Sequence, residues 1–174
     1  FLLVNIPAFR LYVYDQGKVS WQMDVVVGRE ATRTVIFSDS LSQIVLAPYW
    51  NIPTSIIRSE ILPAVKRNAN YLDRKNMEVV MGGKVVSSGS INWSKYTRGV
   101  PFTIRQKPGA GNALGRVKFL FPNAYSIYLH DTPSKGGFKE DQRAFSHGCI
   151  RLSEPLKLAD HLLRTDTAWT PQRI

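Results

Sequence analysis

Cysteine is the scarcest chemistry in this 174-residue chain, occurring once, at position 149. A single thiol excludes an internal disulfide, and it fits an oxidising compartment only if it is kept reduced or protected. With three histidines in the chain, the paired ligand spacing of a structural zinc site is missing. His130, His147 and Cys149 are the one set that could supply three ligands, and no metal or other cofactor is expected. Long apolar runs are also missing. None approaches the roughly 18 residues of a membrane-crossing helix, and Phe1-Leu2-Leu3-Val4 lacks the charged leader of a signal peptide. Lys107-Pro108-Gly109-Ala110-Gly111-Asn112 does not match a phosphate-cradling loop, so it reads as a turn. There are no internal repeats. Acidic residues are few, 13 against 23 Lys and Arg, for a net charge of +10. Such a balance attracts any polyanion, but the cations are scattered and form no nucleic-acid module. The one notable cluster, Arg58, Lys66, Arg67, Arg74 and Lys75, reads as a solvated helical face or as a surface for an anionic polymer.

The lone cysteine sits in Ser146-His147-Gly148-Cys149-Ile150-Arg151, nineteen positions after His130 in Tyr128-Leu129-His130-Asp131. Two of the three histidines thus accompany the only sulfur nucleophile. A thiol becomes reactive through a neighbouring imidazole or another positive influence. The β-branched and apolar runs Arg116–Phe121 and Tyr125–His130 read as strands joined at Pro122-Asn123, with His130 at a strand end. The turn-rich segment 131–139 reads as a surface loop returning the chain past His130. After the cysteine, Ser153-Glu154-Pro155-Leu156 has a helix-start pattern with Ser153 as N-cap, and Leu156, Ala159, Leu162 and Leu163 share one face. Arg151 suits a substrate carboxylate because a guanidinium offers two parallel hydrogen bonds. Tyr128 projects to the same face as His130 and either lines the cleft or packs in the core. Gly148 and Cys149 are expected to offer backbone N–H groups to an oxyanion, and Ser146 is placed on the substrate side with Arg151 and Tyr128.

His130 followed by Ser146-His147-Gly148-Cys149-Ile150-Arg151 resembles the signature of L,D-transpeptidase catalytic domains, the YkuD-like family of bacterial cell-wall synthesis. Val4–Tyr14 resembles the family's first hairpin. Pro101–Gly109 with Asn112-Ala113-Leu114-Gly115 resembles the segment leading into its catalytic strands. The resemblance implies Cys149 as the nucleophile that forms a thioester and His130 as the base. It implies a backbone carbonyl after the histidine, at Asp131, orienting the ring, with a side-chain role for Asp131 left open. His147 either orients the loop or helps polarise the sulfur. The implied reaction takes a peptidoglycan tetrapeptide stem, expels its terminal D-amino acid and passes the acyl group to an amine of a second stem, making a 3-3 cross-link between diaminopimelates. Carbapenem-type β-lactams are implied as covalent inhibitors. Other cell-wall enzymes are possible partners, and nucleic acid is not. A periplasmic or otherwise extracytoplasmic place follows, with an anchor or signal outside this fragment of a longer protein. A cysteine peptidase or L,D-carboxypeptidase using water as acceptor, and a noncatalytic wall-binding module, remain as alternatives.

Length and the 44% hydrophobic share suit one domain over 1–174. The expected fold is mainly β with α: two packed mixed sheets carrying a helical capping insertion. Residues 2–6, 9–14, 18–27 and 43–47 read as strands, with Asp15-Gln16-Gly17-Lys18 as a hairpin turn. About 50–98 reads as the insertion, a lid over the catalytic cleft that excludes water. Within it, a helix begins at Thr54 or Ser55, a second begins at Pro63, and a hairpin is centred on Gly82-Gly83. Trp50, Tyr71, Trp93 and Tyr96 belong to this insertion, packing in it or on substrate.

Overall fold

Alternation of apolar and polar residues organises the first 28 positions into a meander. Strands β1 (Leu2–Asn5), β2 (Arg10–Asp15) and β3 (Lys18–Gly28) pair antiparallel in turn. Leu11, Val13, Met23, Val25 and Val27 face inward, as period-two alternation requires. These elements come from a computed structural model that describes residues 1–174.

The chain divides into two compact units, one of Phe1–Ala47 with Leu114–Ile174 and one of Pro48–Ala113. In the first, β4 (Gln43–Leu46), β9 (Val117–Leu120), β10 (Leu129–His130) and β12 (Ile150–Leu152) extend the meander into a sheet ordered β1-β2-β3-β12-β10-β9-β4. The short β11 (Ala144–Ser146) joins β3 beyond β12. This sheet is mixed, because β10 and β12 run parallel and so do β11 and β3. Its core gathers Val117, Phe119, Leu129, Ile150 and Leu152 under Leu158 and Ala159 of helix α4 (Pro155–Leu163). Helix α4 starts at Pro155 with Glu154, not Ser153, at the cap and no side-chain cap bond. Ser153 N–H instead donates to Asp24 O, which keeps that residue on the strand side.

The second unit has its own core around Ile61, Leu62, Leu72, Val79 and Ile104, with Trp93 at its margin. Its sheet is antiparallel throughout: β5 (Trp50–Asn51), β8 (Thr103–Gln106), β6 (Met77–Met81) and β7 (Lys84–Val86), in that order. Two helices split at Pro63 are not seen. Helix α1 (Thr54–Ile56) runs through a π-helical turn (Ile57–Ile61) into α2 (Leu62–Arg67), followed by the short α3 (Tyr71–Arg74). In the π turn Leu62 N–H reaches back five residues to Ile57 O. The wider turn gives Pro63, which has no N–H and crowds the preceding turn, a place inside a continuous helix. The architecture is therefore mainly β, with two sheets and a few short helices, as the sequence suggests. No helix is long and apolar enough to cross a membrane.

Candidate active site

The parallel pairing of β10 with β12 sets the site. Leu129 lies opposite Ile150 and His130 opposite Arg151. Leu129 and Ile150 both belong to the core, so His130 and Arg151 project from the opposite face, and alternation carried one residue back puts Tyr128 and Cys149, which immediately precede β10 and β12, on that same side. The Ile150 N–H to Tyr128 O bond of 3.1 Å extends the pairing to that level. A diagonal across two strands and two residues separates the Cα atoms of Cys149 and His130 by about 8 Å, within reach of a thiol and an imidazole. Tyr128 and His130 rings lie 5.6 Å apart.

His130 is almost wholly buried, and its Nδ1 lies 2.5 Å from the carbonyl oxygen of Asp131. A carbonyl only accepts, so Nδ1 carries the proton and Nε2 keeps the lone pair. Burial draws the imidazole pKa down to about 4. The Asp131 carbonyl opposes that shift and Arg151 adds to it. The ring is therefore neutral near pH 7.

The Asp131 carboxylate is turned to other work. One oxygen accepts from Arg116 N–H at 2.8 Å, the other from Thr132 N–H at 2.7 Å and Lys135 Nζ at 2.6 Å. Burial pushes its pKa up, but the Lys135 bond and the two backbone bonds outweigh this and hold it below the ordinary value. Gly115 is needed beside it, since its φ is +61° and a Cβ there would lie 2.3 Å from Asp131 Oδ2. Asp131 thus meets the imidazole through its backbone, and a Cys-His-Asp side-chain triad is not what the structure contains.

Cys149 is half-buried, and its Sγ donates to Ser126 O at 3.6 Å. Burial raises the thiol pKa, while bonds from the backbone and side chain of Tyr128, and then the charge of Arg151, pull the other way. Ser126 itself holds a left-handed φ of +56°. On this side of the sulfur lies a small cavity of about 200 Å³, lined among others by Thr32, Val35, Tyr125, Ser126 and His147. His147 is exposed at its rim.

Two expectations for the nucleophile loop need correction. Ser146 is buried, its Oγ donates to Cys149 O at 2.6 Å and accepts from Gly148 N–H at 3.0 Å. Its hydroxyl therefore closes the loop on itself rather than facing substrate. The same bond occupies Gly148 N–H, so that group is not open to an oxyanion. Cys149 N–H has no acceptor in the protein and remains available. Gly148 contributes its backbone freedom instead, at a φ of +119°.

The sequence gives no sign of the brace behind this loop. Thr34 Oγ1 donates to Gly148 O at 2.8 Å and accepts from Gly28 N–H at 2.9 Å, while Thr32 Oγ1 donates to Ser146 O at 3.0 Å. Both bonds to the nucleophile loop join residues 114 positions apart, so no local pattern could announce them. Arg151 is partly buried, its pKa lowered by burial and raised by Cys149, and no carboxylate of the protein pairs with it. No group of three or more His, Cys, Asp or Glu side chains gathers to hold a metal ion.

A lone thiol immediately before β12 and a neutral imidazole on its parallel neighbour β10, oriented by a backbone carbonyl, are thus the reactive groups this sheet face brings together. The model of the YkuD family, the L,D-transpeptidase catalytic domain, matches residues 1–170, and the chain belongs to that family. A Haemophilus influenzae protein named "Putative L,D-transpeptidase" is 37% identical over 173 residues, covering 99% of this chain and 35% of that protein. The chain thus spans about a third of the curated relative it matches.

Proposed function

We propose that this chain performs the acyl transfer of a peptidoglycan L,D-transpeptidase. The observation that carries the reading is the locked tautomer of His130, whose basic Nε2 shares a sheet face with Cys149. Nε2 takes the thiol proton as sulfur adds to the carbonyl carbon of the donor bond in a tetrapeptide stem. The oxyanion is received by Cys149 N–H. Collapse of the tetrahedral species breaks the C–N bond, and the imidazolium returns its proton to the departing D-amino acid. An amine of a second stem then attacks the thioester and gives its proton to Nε2. The C–S bond breaks, and Cys149 regains the thiol proton. The product is a 3-3 cross-link. Arg151, with no protein carboxylate beside it, is suited to hold one from the substrate.

Burial of both partners favours the neutral thiol and imidazole at rest, so proton transfer accompanies attack instead of preceding it. Carbapenem-type β-lactams would be opened by the same sulfur. The inserted residues, about 50–98, are assigned the task of favouring an amine over water as acceptor. A substrate in the cell wall places the reaction outside the cytoplasm.

The test is mass spectrometry of the wild type, Cys149→Ala and His130→Gln after incubation with a defined disaccharide-tetrapeptide. We expect a wild-type adduct lacking the terminal D-alanine and a dimer joined through two diaminopimelates. Both should vanish in Cys149→Ala, and the adduct should form about 10²- to 10⁴-fold more slowly in His130→Gln. Tripeptide without dimer would make the protein a carboxypeptidase. Neither adduct nor product, with binding to cell wall retained, would leave the wall-binding reading in its place.

A further inference from the structure

The sheet face that carries the dyad also carries a cation that the proposed reaction leaves unused. Lys118 lies opposite His130 across β9 and β10, just as Arg151 does across β10 and β12. Its neighbours Val117 and Phe119 are fully buried in the core, so strand alternation turns Lys118 to the dyad face. The row thus reads Lys118, His130, Arg151, with the two cations about 10 Å apart at their Cα atoms.

Neither cation has a carboxylate partner within the protein. Both are partly withdrawn from water, and burial lowers the pKa of each. Holding an unpaired charge in such a place is unfavourable unless an anion from outside completes it. A lysine stem lying over apolar neighbours would explain one such residue. It does not explain two cations placed symmetrically about a buried imidazole.

We propose that Lys118 is a second carboxylate-binding arm of the acyl-donor site, so that the preferred donor is a peptide with two carboxylates, one held by Arg151 and the other by Lys118. The inference rests on the acyl-transfer reading and adds the charge pattern of the donor to it. Lys118 supplies a point charge and Arg151 a directional fork, so the two need not accept the same carboxylate geometry.

The experiment compares wild type, Lys118→Met and Lys118→Arg on a disaccharide-tetrapeptide and on a set of analogues, each with one carboxylate converted to a carboxamide. Thioester formation is followed by mass spectrometry to give kcat and KM. For the unmodified donor, Lys118→Met should raise KM about tenfold or more while kcat falls less than about threefold. One amidated analogue should show the same rise on the wild type and no further rise on Lys118→Met. Lys118→Arg should recover most of the loss. An unchanged KM in Lys118→Met overturns the inference, as does a rise that is equal for the unmodified donor and every analogue, which would mark a structural role. The wild-type comparison across analogues stands even if Lys118→Met does not fold, and no sensitivity to any single amidation would overturn the inference by itself. Failure of the wild type to turn over the unmodified donor would instead refute the acyl-transfer reading.

Discussion

His130 links the chemistry of the site to the stability of the molecule. In the unfolded chain it titrates at its ordinary 6.5 and in the folded one at about 4, so between those values the unfolded chain binds more protons. Folding stability is therefore complete above about pH 6.5 and declines as pH falls toward 4, by on the order of 3 kcal/mol. Urea unfolding at pH 7 and pH 5 should show this decline in the wild type and a flatter dependence in His130→Gln. Beside it, Gly115→Ala would force a Cβ into the Asp131 carboxylate at a positive φ. A loss of about 3 kcal/mol is expected from clash and strain combined, read from the urea midpoint. The acylation rate should fall with it, because the Asp131 carbonyl that orients His130 moves with its side chain. At this scale much was legible in advance. The backbone carbonyl of Asp131 stands against the His130 ring, where the family resemblance put it. The inward turn of Ser146 was not legible, because a hydroxyl in a loop looks the same in sequence whether it faces substrate or bonds to its own backbone.

Among the elements, those set by alternation were readable and those set by a side chain competing with the backbone were not. The first three strands fall within a residue or so of the expected bounds. The stretch Tyr125–Tyr128 has strand-like composition, yet only Leu129–His130 is a strand. Asn123 explains the shortfall. Its side chain donates to Phe121 O and Ile127 O and accepts from Tyr125 and Ile127 N–H, taking up groups that a ladder would need. The resulting loop turns the Ser126 carbonyl toward the thiol. The brace from Thr34 is the element-scale counterpart at Gly148. Thr34→Val keeps the shape but leaves Gly28 N–H without its acceptor and Gly148 O without its donor. We expect a loss of about 1–3 kcal/mol in stability. Acylation of Cys149 should slow as well, and Thr34→Ser should restore both; denaturant titration and adduct mass would measure the pair of effects.

The whole molecule is two cores on one chain, and each unit buries its own. Ile104, fully buried in the second, should cost about 2–5 kcal/mol when cut to Ala. Hydrogen exchange would show the change in the amides of β6 and β8. The net charge of +10 belongs to this scale too. Retention on isolated cell-wall sacculi should weaken as salt rises from about 0.1 M to about 1 M and the Debye length shrinks from about 10 Å to about 3 Å. Retention that ignores salt would mean that charge does not hold the protein there. Why the second unit covers Pro48–Ala113, wider than the 50–98 read from sequence, is also physical. Strand β8 pairs with β5 and β6, a partnership invisible to local pattern.

Cys149 immediately precedes β12 and His130 lies on β10, its parallel neighbour, and parallel neighbours cannot be joined by a tight turn. The chain between them must leave the sheet and come back, so its length is not dictated by the distance between sulfur and imidazole. Residues 133–142 belong to that excursion, held by Lys135 on Asp131 and by Arg143 on Phe138 and Glu140, so a change of length that spares Lys135 can reshape that surface while hydrogen bonds between β10 and β12 keep Cys149 and His130 in register.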